Sequence, residues 1–174
     1  MSIPAPIEVW LRGPLPGVPP LLQPVAHALL QAREELTAAL HDFPAELVNE
    51  RPAGVASVGF HLQHLAGVLN RLLTYARAEP LSESQFADFN AEIPPLPITP
   101  DTVKRLVARF SLEVDAALAQ LKATSEASLT EVRGVGRAQI PSTVIGILTH
   151  AAEHTTRHLG QLLVTAKWVR TGLA

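Results

Sequence analysis

Four stretches of this chain carry apolar residues three or four positions apart, and this spacing constrains the fold more than any other feature. Such spacing is typical of a helix that buries one face. No segment shows a convincing strand pattern. The sequence therefore predicts an all-α protein whose residues 20–174 form one up-and-down four-helix bundle. The predicted helices cover about residues 20–43, 57–78, 100–123 and 141–169.

Prolines and glycines mark the segments outside the predicted helices. Prolines crowd the start of the chain and disfavour helix there, so residues 1–19 are predicted to form an extended Pro-rich arm. Trp10 and Leu11 are the candidates for pinning this arm onto the bundle. Residues 80–97 are predicted to be irregular, because their prolines block any long element. Two glycines between residues 125 and 140 predict a tight turn in a small hairpin.

The composition argues against several functional classes. The net charge is −2 and no basic block stands out, so we expect no nucleic-acid partner. No apolar run approaches the ~18–20 residues that span a bilayer, and the N-terminus lacks the features of a signal peptide. We therefore expect a cytoplasmic protein that acts on a small molecule. Because the chain has no cysteine, a bound metal would need histidine or carboxylate ligands.

Five of the seven histidines fall in two short stretches, residues 60–64 and 150–158. Histidines four residues apart lie on the same side of a helix, where their rings can converge on one ion. At about 100° per residue, His154 and His158 face the apolar side of the fourth helix, whereas His150 lies nearer its rim. Two buried imidazoles need partners for their nitrogens, and a shared metal would satisfy one nitrogen on each ring. This pattern predicts a metal site.

A third ligand must come from another helix, and His61 and His64 are the candidates. Periodicity places His61 closer to the apolar face of the second helix and His64 near its edge, so spacing alone leaves the choice open. Glu153 precedes His154 directly and points elsewhere, which predicts a surface pair with Arg157 four residues on. The Glu-x-x-His pattern of di-iron bundles is missing, so we expect a single ion.

Two segments resemble the DinB-like (DinB/YfiT) superfamily of metal-binding four-helix bundles. Ser57-Val-Gly-Phe-His-Leu-Gln-His-Leu-Ala66 is similar to its second-helix pattern, and residues 150–161, which include His-Leu-Gly-Gln, are similar to its fourth-helix pattern. In that family one histidine of the second helix and two of the fourth bind the metal. The matching residues are His64, His154 and His158. His61 is an addition to the family pattern, as a partner behind the ligands or a competing ligand.

The resemblance also implies a range of activities. Members include metal-dependent transferases that use bacillithiol, mycothiol or glutathione, a mycothiol-dependent isomerase, and proteins described as hydrolases; many are dimers. Three neutral imidazoles leave a coordination position open on one divalent ion, whether Zn, Ni, Fe, Mn or Co. We expect a metal-dependent transferase acting with a low-molecular-weight thiol. The alternatives are a hydrolase using metal-bound water and a non-catalytic metal-stabilised bundle.

Four further residues are candidates around such a site. Arg133 and Arg137 would pair with carboxylates of the thiol, if they are not simply solvated arginines of the turn. Glu92 and Glu153 are the nearest candidates for the general base that hydrolysis requires.

Overall fold

The computed structural model describes residues 7–172, which form five α-helices and one β-hairpin. The helices are α1 (Gln23–Leu40), α2 (Val58–Ala76), α3 (Glu83–Ala91), α4 (Thr102–Ala123) and α5 (Val144–Thr171), and the strands are β1 (Val132–Val135) and β2 (Ile140–Thr143). Among these residues, five short 3-10 turns lie in the segments outside the helices and strands. No helix among these residues is long and apolar enough to cross a membrane.

The four long helices enclose one apolar core. Helices α1 and α2 each pack against both α4 and α5. The largest fully buried side chain is Phe110 of α4, which belongs to one core cluster with leucines from all four long helices. Each such buried side chain stabilises the fold by about 1.5–3 kcal/mol. The predicted all-α class is thus confirmed, whereas the strict up-and-down order and the division at residue 20 stay predictions.

Helix α3 lies inside the segment that the sequence analysis predicted to be irregular, and that prediction was wrong for residues 83–91. The helix begins with a capping box, in which the Ser82 side chain accepts from the Gln85 N–H and the Gln85 side chain accepts from the Ser82 N–H. Pro80 precedes α3 and the other prolines of this segment follow it, so none of them lies inside the helix. The Gln85 side chain also reaches Thr74 of α2.

Helix boundaries follow local capping chemistry. Ser57 caps α2, close to the predicted start of the second helix, and its side chain accepts a hydrogen bond from the Phe60 N–H. Helix α4 begins at Thr102, two residues later than the predicted start at residue 100, because the Thr99 N–H and hydroxyl bind the Thr102 hydroxyl. The predicted hairpin is present as the antiparallel pair β1–β2, and it leads directly into α5.

The N-terminal segment contacts α1 through other residues than predicted. Trp10 and Leu11 are 61% and 58% exposed and do not pin it. Instead Val9 is buried and donates its N–H to Gln31, and Arg12 pairs with Glu34. The reason is a 3-10 turn over Val9–Arg12, which turns Val9 inward. Residues 1–6 of the predicted arm lie outside the described residues.

Candidate metal centre

Three of the predicted site residues meet between helices α2 and α5. His64 of α2 and His154 and His158 of α5 each offer a ring nitrogen, and these nitrogens all lie within 4.8 Å of one another. The two helices pack directly, which brings the two histidine stretches of the sequence together. All three side chains are half-buried. The cluster therefore combines shelter from bulk water with access from one side.

The shortest contact in the cluster joins the two helices. Nε2 of His64 lies 2.9 Å from Nε2 of His154. The His158 ring centre lies 4.4 Å from that of His64 and 4.5 Å from that of His154. Two nitrogens at this separation can both reach one ion, since a metal–imidazole bond measures about 2.0–2.1 Å.

Two rings of the cluster, those of His154 and His158, are held neutral. Burial, followed by the neighbouring His158 and His64, lowers the pKa of His154 to about 4. Burial, followed by His64 and Arg157, also lowers the pKa of His158. A neutral imidazole keeps one nitrogen lone pair, whereas a protonated ring has none to offer a metal. At neutral pH these two rings therefore have the charge state that a metal ligand needs.

His61 is buried, as its phase on the helix predicts, yet it stands behind the cluster. It is 3% exposed, and its Nδ1 lies 3.1 Å from Nδ1 of His158. Burial, followed by His158 and His64, lowers the pKa of His61 to about 4. The contact occupies Nδ1 of His158 and leaves Nε2 of that ring for the cluster. Of the two roles considered for His61, this geometry favours the partner behind a ligand.

Glu92 contacts the cluster from the other side, and sequence reasoning did not find its role. Its Oε2 lies 2.8 Å from Nδ1 of His64, and its Oε1 accepts from Nη1 of Arg71 at 2.7 Å. Burial raises the pKa of Glu92, but the hydrogen bonds from His64 and Arg71 outweigh it, so the net shift is downward. With both oxygens engaged, Glu92 is not the free base considered for hydrolysis.

The acidic and basic residues on the outer face of α5 form a separate group. Glu153 pairs with Arg157 at 2.8 Å, which confirms the predicted surface pair. His150 lies at the rim, half exposed, with Nδ1 3.4 Å from a Glu153 oxygen. His150, Glu153 and His154 also stand close enough to share a cation, but His150 and Glu153 are exposed. Arg157 in addition lies 3.2 Å from Nδ1 of His154.

The other candidate residues lie elsewhere. Arg133 binds the Ala76 carbonyl and Glu131 at the far end of α2. Twelve residues of helix separate Ala76 from His64, or about 18 Å. Pairing of Arg133 with a molecule bound at the histidines is therefore wrong, since β1 places it against the opposite end of α2. Arg137, in the turn beyond β1, is not brought to the cluster by any contact.

Two cavities flank the histidines. One of about 300 Å³ is lined by Phe60, Glu92 and the segment that follows it. The Phe60 ring stacks on His64, with ring centres 5.3 Å apart and planes inclined by 11°. The other cavity, of about 410 Å³, is lined by His61, Gln161 and Val164. Both volumes fall at the lower end of the range of small-molecule sites.

Comparison with protein families gives a match to this chain. The sequence model described as the DinB superfamily matches residues 28–162. The match covers all of α2 and α4 and most of α1 and α5, and it includes both histidine stretches. None of the curated proteins matches the chain.

Proposed function

The chain belongs to the DinB superfamily, and we propose that it holds one divalent metal ion through His64, His154 and His158 and acts as a metal-dependent transferase. The observation that carries the proposal is the convergence of three ring nitrogens within 4.8 Å from two helices. The same membership supports an up-and-down order of the long helices and a homodimer in solution. Three imidazoles do not select among Zn, Ni, Fe, Mn and Co.

The donor set fits such an ion. Glu92 and His61 each engage one nitrogen, of His64 and His158 respectively, and leave the other nitrogen for the cluster. His154 is the exception, because Arg157 contacts its Nδ1 and its proton then sits on Nε2. Binding through Nε2 requires that proton to move to Nδ1 and Arg157 to turn away. Arg157 is exposed, so this movement costs little.

A low-molecular-weight thiol is the co-substrate that this centre suits best. A divalent ion with three neutral ligands supplies Lewis acidity, which lowers the pKa of a thiol or water at its open position. Hydrolysis would also need a positioned general base. Both acids considered for that role are engaged, Glu92 by Arg71 and His64, and Glu153 by Arg157. A thiol ionised in this way would pass its proton to solvent and attack the electrophile directly, whereas hydrolysis would also need a group that protonates the departing alcohol or amine.

The residues around the cluster have roles in this proposal. Phe60 covers one face of His64 and shields it from water on that side. The cavity lined by Phe60 and Glu92 offers room for an electrophilic small molecule, and it is joined to the ligands through these two residues, which both contact His64. Hydrolysis and a purely structural metal clip remain the alternative functions, and each gives a different result in the following test.

The test compares His154→Ala with His150→Ala. Elemental analysis should find about one metal ion per wild-type chain and per His150→Ala chain, and His154→Ala should lose it. Wild-type protein should consume a thiol only when both metal and an electrophile are present. Stoichiometric metal on His154→Ala would contradict the ligand set. Turnover of an ester without thiol would favour hydrolysis, and bound metal without turnover in either assay would favour the structural clip.

A further inference from the structure

We infer that Glu92 is a positioning residue, which fixes the proton of His64 on Nδ1 so that Nε2 presents a lone pair to the cluster. The inference rests on the proposed metal function and assigns to this chain a carboxylate that acts through a ligand. It also replaces the general-base role considered for Glu92.

The hydrogen bond between Glu92 and His64 sets the position of the His64 proton. An ionised carboxylate can only accept hydrogen bonds, so at 2.8 Å from Oε2 the Nδ1 of His64 must be the donor. Because Arg157 donates to Nδ1 of His154, the proton of the neutral His154 ring sits on its Nε2, and Nε2 of His64 is the bare nitrogen that accepts it. That nitrogen lies 2.9 Å from Nε2 of His154, inside the cluster. The contact with Glu92 thus decides which nitrogen of His64 faces a metal.

The buried Glu92 carboxylate is kept ionised by its ion pair with Arg71. Its side chain is only 4% exposed, and a buried carboxylate stays ionised only when it is paired and hydrogen-bonded. Arg71 supplies the counter-charge through Nη1 at 2.7 Å and is itself 8% exposed. The Arg71 guanidinium in turn lies over the Phe89 ring, 4.8 Å from its centre. Arg71 therefore keeps Glu92 as an acceptor toward His64.

A glycine in α2 leaves space for the Glu92–Arg71 ion pair. His64, Gly67 and Arg71 follow one another on one side of α2, at positions i, i+3 and i+7. A Cβ atom on Gly67 would lie 2.5 Å from Oε1 of Glu92 and 2.8 Å from Nη1 of Arg71. Any larger residue would push the pair away from the helix. The glycine thus makes room for the carboxylate beside His64.

Helix α3 positions Glu92 beside His64. It directly follows α3, and its N–H donates to the Phe89 carbonyl. Gln85 of α3 donates hydrogen bonds to Asn70 and Thr74 of α2. Asp88 of α3 forms a salt bridge with Arg109 of α4. These contacts fix the end of α3 against α2, so the position of Glu92 is set before any metal binds.

The test is Glu92→Gln, which keeps the size of the side chain and removes one acceptor. The single amide oxygen should take the Arg71 hydrogen bond, because two donors cannot face each other. The amide nitrogen then donates to Nδ1 of His64, and the proton of His64 moves to Nε2. Nitrogen-15 NMR of metal-free protein should show Nδ1 protonated in the wild type and Nε2 protonated in the variant. Metal affinity should fall about 10- to 100-fold.

Two further variants keep the result interpretable. Glu79→Gln removes the same charge from a carboxylate that also pairs with an arginine, Arg77, but at an exposed position beyond the end of α2, and it should retain both the His64 proton on Nδ1 and wild-type metal affinity. Gly67→Ala leaves both charges present but displaces them, and it should also weaken metal binding. It decides the question if Glu92→Gln fails to fold.

Specific results would overturn the inference. They are a wild-type His64 protonated on Nε2, or a folded Glu92→Gln protein with unchanged His64 protonation or unchanged metal affinity. If the wild type binds no metal, the proposed function fails, and the NMR comparison in metal-free protein still decides the role of Glu92. The two failures are therefore distinguishable.

Discussion

At the scale of single residues, the centre is defined by which nitrogens carry protons. His61 and His154 have pKa values lowered to about 4, because burial and neighbouring histidines disfavour the charged form. Each ring therefore stays neutral through the range in which an exposed histidine titrates. A cluster of neutral rings can receive a cation, but it makes the metal-free fold sensitive to acid.

We expect the metal-free protein to lose stability as the pH falls from about 6.5 to about 4. In this range the unfolded chain protonates His61 and His154 while the folded protein does not, so protons favour unfolding. Above about 6.5 both states are neutral and this effect vanishes. Urea unfolding at several pH values in the presence of a chelator measures it.

A matched pair of variants isolates the histidine effect. His61→Gln should flatten the dependence of the free energy of unfolding on pH. Phe110→Leu, which removes core volume and no proton site, should lower that free energy by a similar amount at every pH. A wild-type free energy that stays constant between about pH 6.5 and about 5 would contradict the lowered pKa values.

At the scale of elements, helices α2 and α3 contribute to the site in different ways. Helix α2 is buried along most of its length and carries His61 and His64. Helix α3 has no buried residue of its own and depends on its capping box and on side-chain contacts to α2 and α4. It nevertheless sets the position of Glu92. A helix that buries none of its own residues thus positions the carboxylate that we propose orients His64.

Removing the two helix caps should separate these contributions. Ser57→Ala and Ser82→Ala each remove an N-cap, which costs about 0.5–2 kcal/mol. Ser57→Ala should lower the global free energy of unfolding by that amount, because α2 is part of the core. Ser82→Ala should speed hydrogen exchange in α3 and leave global stability nearly unchanged. An equal global loss in both variants would show that α3 unfolds together with the core.

At the scale of the whole molecule, the cluster joins two helices that are distant in the chain. His64 and His154 are separated by 90 positions, yet their Nε2 atoms lie 2.9 Å apart. That approach exists only when α2 and α5 are packed, so the unfolded chain has no comparable site. Metal binding and folding are therefore expected to be coupled.

Divalent metal should raise the melting temperature of the wild type in a concentration-dependent way. A ligand that binds only the folded state adds about 2.7 kcal/mol of stability at a free concentration one hundred times its Kd. Calorimetry with and without a chelator measures the shift. His154→Ala should lose it and His150→Ala should keep it. Equal shifts in both variants would point to a site other than the three-histidine cluster.

Much of the fold could be predicted from the sequence, because helix periodicity and capping are local properties. The spacing of apolar residues identified the four long helices, and two glycines identified the hairpin. The short helix α3 was missed because it has no buried stripe, although its Ser82-x-x-Gln85 capping box was a readable signal. The end of α4 was placed correctly and its start was not, since a hydroxyl contact between Thr99 and Thr102 shifted it.

The sequence by itself determined that His154 and His158 lie on the packed side of α5 and that His61 is more buried than His64, because angular phase on a helix follows from residue number. Only the tertiary structure decided what those rings contact. His61 is directed at Nδ1 of His158, and His64 meets His154, because the packing of α2 on α5 sets these directions. Glu92 arrives from a segment 28 positions further along the chain. No local pattern encodes such a contact, since it depends on how separate helices come together.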